Sequence, residues 1–230
     1  MRGLSNNLRR NRVLITEHHI QVARTLRYFA AGEAHTEGRL IMALHGYGQH
    51  PQFFIKKLSV LAGKRSLVVA PEGLHRFYTN GMSGRVGASW MTKEDRLNDI
   101  ADQYTYLDQL LKQPEWNVQH RILLGFSQGA ATAVRFFCSD TEKRFHRLVL
   151  WAGSFPPDLP LPENAERLNT VGVDVVIGDD DAFIKQHDVD DLRQRFEAAK
   201  IQYRMHFFQG KHELDEAMLR QLLGTDNADM

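Results

Sequence analysis

The chain has 230 residues, 43% of them apolar, which is enough hydrophobic material for a substantial core and excludes an intrinsically disordered chain. Its 29 Lys and Arg against 28 Asp and Glu leave a formal charge of +1, so no basic field calls for a nucleic-acid partner. The single cysteine, Cys138, excludes an internal disulfide and a Cys-based metal site.

The early arginines Arg2, Arg9 and Arg10 fall in a solvated tail over residues 1–11, with Arg12 beside it. Residues 12–29 alternate in polarity and predict an antiparallel hairpin. Glu17, His18 and His19 interrupt the apolar residues there, which does not match a secretory leader. No run approaches the roughly 18 apolar residues of a membrane span. A soluble, cytoplasmic protein is the expectation.

"RLIMALHG" (39–46) predicts a buried strand that stops at a glycine, and residues 52–63 show helical spacing up to Gly63. "SLVVAPEG" (66–73) predicts a strand. Residues 74–92 have no period and read as a long loop, a kind of segment that is usually functional. A helix is predicted over 93–112, with Ile100, Tyr104, Leu107 and Leu111 on one face. "HRILLGF" (120–126) is a strand, 128–139 a helix and 146–154 a strand. Residues 159–168 form a Pro-bearing connection, and 172–183 a strand running into an acidic loop. Residues 188–200 read as a helix, 203–210 as the last strand and 213–223 as the last helix. Neither a repeat nor a linker divides the chain, so residues 1–230 are expected to form one domain.

Strands that are continuous apolar runs, alternating with helices, predict an α/β fold with a mostly parallel sheet and helices on both faces. Ligands of such sheets bind beyond the carboxyl ends of the strands. The informative residues are therefore those just past each strand: His45 to Gly48, Ser127, Asp179 to Asp181, and His212.

Ser127 sits in "GFSQG" between a strand and a helix, where a tight turn exposes the hydroxyl. A serine needs a base, and the base needs a partner that fixes its tautomer. Among the downstream histidines, only His212 follows the last strand, so His212 is the candidate base. The acid is one of Asp179, Asp180 and Asp181, and the residues alone leave that choice open. Three consecutive aspartates also suggest a divalent cation, but the spaced ligands of a calcium loop are missing, and no metal is expected. An oxyanion hole needs two backbone N–H groups. Gln128, after the nucleophile, and Tyr47, in "LHGYGQ", are the candidates. His45 reads as a residue that bonds this loop from within rather than as a ligand.

Over residues 39–223 the sequence resembles the phospholipase/carboxylesterase group of the α/β-hydrolase superfamily, which includes acyl-protein thioesterases. The resemblance is carried by "LHGYGQ", "APEG", "ASW", "GFSQGA", "VVIGDDDAF" and "GKHEL". It implies the α/β-hydrolase fold and a Ser127, Asp181, His212 triad, Asp181 standing three residues after Gly178, with Asp180 as the second choice. It also implies an oxyanion hole from Tyr47 and Gln128, with Trp90 near the acyl pocket. The chain departs from the group at Gln49-His50, where an acidic residue is usual, and at residues 182–185, where "P-x-V-P" is usual.

The expected activity is cofactor-independent hydrolysis of a small-molecule carboxylic ester or thioester. Tyr47, Phe53, Phe54, Phe77, Tyr78, Phe155 and Phe183 join Trp90 as candidates for an apolar substrate pocket, each also suited to plain packing. One alternative is a non-catalytic binding protein on a hydrolase scaffold, which would be expected to have lost part of the triad. Another is a serine peptidase or a dienelactone-hydrolase-like enzyme, the latter usually with a Cys nucleophile. The oligomeric state, monomer or homodimer, is left open.

Overall fold

A computed structural model describes residues 14–224; the tail placed at residues 1–11 lies outside them. Seven strands form the central sheet: β1 (Tyr28–Ala31), β2 (Arg39–Leu44), β3 (Ser66–Pro71), β6 (His120–Phe126), β7 (Arg147–Trp151), β8 (Gly172–Gly178) and β9 (Arg204–Phe208). Their order is β1-β3-β2-β6-β7-β8-β9. All neighbours are parallel except β1, which runs antiparallel to β3. Two further strands, β4 (His75–Tyr78) and β5 (Val86–Ser89), form a separate antiparallel pair.

The sheet is covered on both faces because its strands are apolar on both. On β2, Leu40, Met42 and Leu44 enter one core and Ile41 and Ala43 the other. The first core is closed by α2 (Arg96–Leu111), α3 (Gln128–Ser139), α4 (Leu161–Leu168) and α5 (Gln186–Ala198). The second is closed by α1 (Pro51–Lys57) and α6 (Glu216–Leu223). Each large apolar side chain buried this way contributes roughly 1.5–3 kcal/mol. Among the described residues, no helix is long and apolar enough to cross a membrane.

Antiparallel pairing at the start is present, but its partner differs from the one expected. Tyr28 to Ala31 pair with Pro71 to Val68 of β3, whereas residues 14–27 form no strand. A two-stranded ribbon standing alone is marginal in water. Leu14, Ile15, Ile20 and Val22 have no apolar surface to cover and stay exposed, while the edge of β3 offers a ready ladder to the residues that reach it. Two other readings also change. The segment 74–92, read as a loop, contains the β4–β5 hairpin, and the connection 159–168 contains α4.

The parallel register sets the ends of the strands side by side. Leu44 lies opposite Gly125, Phe126 opposite Trp151 and Gly178 opposite Phe208. His45, Ser127, the aspartates after β8 and the loop after β9 therefore emerge along one edge.

Candidate active site

Ser127 has φ 55° and ψ −118°, a backbone region that a side-chain-bearing residue adopts only when its surroundings impose it. The strand and helix around it impose it. Ser127 N–H donates to Trp151 O at 2.9 Å, and α3 starts at the next residue. The turn closes because Gly125 and Gly129 lack side chains. A Cβ on Gly125 would lie 2.3 Å from Gly129 O, and one on Gly129 2.1 Å from Leu44 O. The hydroxyl is thus held at the N-terminal end of a helix, which favours developing negative charge.

His212, in the loop after β9, places Nε2 2.9 Å from Ser127 Oγ. Its Nδ1 lies 2.8 Å from Asp181 Oδ2. Asp181 is fully engaged: its Oδ1 accepts from Phe183 N–H at 2.7 Å and Ile184 N–H at 3.1 Å, and its side chain is buried. An acceptor-only carboxylate at Nδ1 fixes the proton there and leaves the Nε2 lone pair facing the Ser127 hydroxyl. Asp179 and Asp180 are exposed and serve the loops instead. Asp179 Oδ1 accepts from Gly210 N–H, and Asp180 N–H donates to Gly210 O, both at 2.9 Å. They tie the loop after β8 to the loop that carries His212.

Two rings flank the imidazole. Phe126 lies 5.1 Å from it and Phe183 4.7 Å. Phe126 is buried, whereas Phe183 is 72% exposed and forms the outer wall.

The N–H of Gln128 stands at the first position of α3, ahead of the first bond of that turn, from Ala130 N–H to Ser127 O. In the loop after β2, Gly46 N–H donates to Gln49 Oε1 at 2.8 Å and Gly48 N–H to Ala88 O at 2.9 Å. The intervening Tyr47 N–H makes no hydrogen bond among the described residues. The loop passes close to Ser127: a Cβ on Gly46 would lie 3.1 Å from Ser127 Cβ.

The family model described as Phospholipase/Carboxylesterase matches residues 30–224. The chain belongs to the phospholipase/carboxylesterase family. Solved structures of similar fold include a carboxylesterase from Mesorhizobium loti, 17% identical, with a TM-score of 0.67 over 87% of this chain and 95% of that one. Zea mays acyl-protein thioesterase 2 is 17% identical, with a TM-score of 0.65 over 86% and 96%. The Bacillus cereus carboxylesterase is 17% identical, with a TM-score of 0.63 over 85% and 91%. A search of curated proteins finds no match. The protein is therefore an enzyme of the carboxylesterase type, on an α/β-hydrolase fold.

The aromatic residues expected around the substrate of this phospholipase/carboxylesterase member divide into two groups. Tyr47 and Phe53 are exposed, and Phe77 is half-buried and packs on Tyr47 with ring centroids 5.3 Å apart. Tyr78 and Phe183 are exposed too. Phe54 and Phe155 are core residues, Phe155 standing edge-on to Phe196 at 5.3 Å. Trp90 is fully buried, and its indole Nε1–H donates to His45 O at 2.8 Å. Trp90 and Phe155, both expected beside the substrate, are thus buried, and Phe155 borders a small cleft with Gly153, Ser154 and Ile184.

His45 bonds the loop backbone as its position suggested. Gly73 N–H donates to its Nε2 at 3.0 Å, and its Nδ1–H donates to Gly46 O at 2.8 Å. Burial pushes its pKa down to about 4, so the ring is neutral. Sequence reasoning missed the partners of Trp90. Gln103 Nε2 donates to Trp90 O at 2.7 Å, and Trp90 N–H donates to Gln128 Oε1 at 3.1 Å. A glutamine at a buried position of α2 was the only signal for the first. Away from the site, Glu17, His19 and Asp95 form an exposed group close enough to share a cation.

Proposed function

We propose that the protein is a serine hydrolase that cleaves carboxylic esters or thioesters through an acyl-enzyme on Ser127, and that residues 1–230 act as one cytoplasmic domain. The reading is carried by the continuous contact from Asp181 through His212 to a serine held at positive φ, with distances of 2.8 and 2.9 Å. Ser127 Oγ attacks the acyl carbon while its proton passes to His212 Nε2. The resulting imidazolium is stabilised by Asp181, and the oxyanion by the N–H groups of Tyr47 and Gln128. Collapse of this intermediate breaks the bond to the alcohol or thiol, which leaves with the proton from His212. A water then gives its proton to His212 and attacks the acyl carbon, releasing the acid and restoring Ser127. The exposed rings of Tyr47, Phe53 and Phe183, with the half-buried Phe77, offer apolar contact to the acyl or leaving group. No cofactor is required by these steps.

The test is hydrolysis of p-nitrophenyl and thiocholine esters, together with labelling by a fluorophosphonate. Wild-type protein should turn over and be labelled, and Ser127→Ala should do neither. Loss of a nucleophile of this kind costs about 10⁶-fold in kcat. Near wild-type turnover by Ser127→Ala would overturn the reading.

A further inference from the structure

The Tyr47 N–H can serve an oxyanion only if its peptide plane is held in one orientation, and the structure shows what holds it. In a trans peptide the C=O and N–H point in opposite directions, so fixing the carbonyl aims the amide. The carbonyl of the Gly46–Tyr47 peptide accepts from His45 Nδ1–H at 2.8 Å. The preceding peptide, His45–Gly46, is held at both ends: its carbonyl accepts from the Trp90 indole at 2.8 Å, and its N–H donates to Gln49 Oε1 at 2.8 Å. His45 and Trp90 have no exposed surface and pack with ring centroids 5.1 Å apart and planes tilted by 33°. Trp90 is held in turn by the residue that provides the other donor. The Gln128 carboxamide accepts from Trp90 N–H at 3.1 Å and donates to Met91 O at 2.9 Å.

We infer that His45, Gln49 and Trp90 are positioning residues of the oxyanion hole, and that the Gln128 side chain couples its two donors into one rigid unit. The inference rests on the acyl-transfer reading above. It also accounts for the departure at Gln49. A neutral carboxamide accepts the Gly46 N–H without placing a negative charge beside the oxyanion, as an acidic residue there would. A hole held this way needs no reorganisation when charge develops, which is the condition for strong transition-state stabilisation.

A pair of substitutions separates positioning from packing. Asn at position 45 can place an amide N–H where Nδ1 stood and still donate to Gly46 O, whereas Gln reaches the position of Nε2. Both remove the ring and should lower Tm similarly. His45→Asn should keep kcat within a few-fold of wild type. His45→Gln should lose on the order of 10- to 100-fold in kcat with KM little changed, since a misaimed donor forfeits much of what a deleted one does. Binding of an aryl trifluoromethyl ketone, whose adduct carries an oxyanion, should weaken by the same factor. Trp90→Phe keeps the packed ring, removes only the indole N–H and should show the same kcat-only loss, about 10-fold. This arm stands even if the position 45 variants do not fold. Equal kcat losses in His45→Asn and His45→Gln, or losses that fall on KM, would overturn the inference. Failure of the wild-type protein to react with fluorophosphonate would overturn the hydrolase reading instead.

Discussion

Asp181, Asp179 and Asp180 are the same residue type in one loop, and they differ in what their oxygens meet. Asp181 is buried, with one oxygen on His212 and the other on two backbone amides. Asp181→Asn should keep the loop and remove the charge that stabilises the imidazolium, lowering kcat by about 10⁴-fold. Asp179→Asn and Asp180→Asn should stay within a few-fold, since an amide oxygen at 179 can still accept from Gly210 N–H. A crippled Asp180→Asn beside a normal Asp181→Asn would shift the acid by one position. Phe183, at 72% exposed, contributes little to the core but walls one side of His212. Phe183→Ala should leave Tm unchanged and raise KM for apolar esters by about 3- to 5-fold, the equivalent of roughly 0.5–1 kcal/mol of apolar contact. An unchanged KM across an ester series would remove Phe183 from the substrate surface. The placement of Ser127 and His212 just past their strands was legible from their neighbours in the chain. The choice among the aspartates was not legible from the residues themselves, because identical side chains are distinguished only by what surrounds them after folding.

At the scale of elements, the decisive junction is β6, the turn at Ser127, and α3 against the end of β2. Gly129→Ala would drive a Cβ to 2.1 Å from Leu44 O, a backbone atom that cannot rotate away. The variant should lose about 3 kcal/mol or fail to fold, read as the urea midpoint. Gly63→Ala, with nothing within 4 Å of the new methyl, serves as the control and should be near neutral. The β4–β5 hairpin shows the opposite relation to sequence. Residues 74–92 carry no period because Gly81, Gly84 and Gly87 break it. The hairpin is specified by its neighbour: Ala88 exchanges backbone bonds with Gly48 and Gln49, and a Gly87 Cβ would lie 2.1 Å from Gly48 O. Residues 14–27 fail in the other direction. They alternate as a strand should but find no partner of their own, and strand pairing is a property of two segments rather than one.

Across the whole molecule, two buried groups contribute to the response to acid. His45 is held at about 4 by burial, below an unfolded value near 6.5. Between those limits the unfolded chain binds a proton that the folded chain refuses, so stability falls as pH drops from about 6.5 to 4, by roughly 3 kcal/mol for this group. Asp174, fully buried on β8, accepts from Arg147 at 2.6 Å, Arg204 at 2.8 Å and His206 at 2.7 Å. Burial alone would raise its pKa, but the hydrogen bonds from Arg204, Arg147 and His206 together outweigh it and lower the value to about 2. Its contribution is present above an unfolded pKa near 3.9 and is lost only as pH falls toward 2. Urea unfolding at pH 7, 5.5 and 4.5 should show declining stability in wild type and a shallower decline in His45→Asn. Equal slopes in the two proteins would contradict the assignment of His45. The sheet type, most of the strands and helices, and the places of Ser127 and His212 just past their strands could be read from the sequence, because hydrophobic period and turn chemistry are local and recur along the chain. Only the tertiary structure decided that Trp90 and Phe155 are buried, that Asp181 rather than Asp179 or Asp180 meets His212, and that His45, Gln49 and Trp90 grip one loop. Each of these depends on contacts between segments tens of residues apart, which no local pattern in the chain encodes.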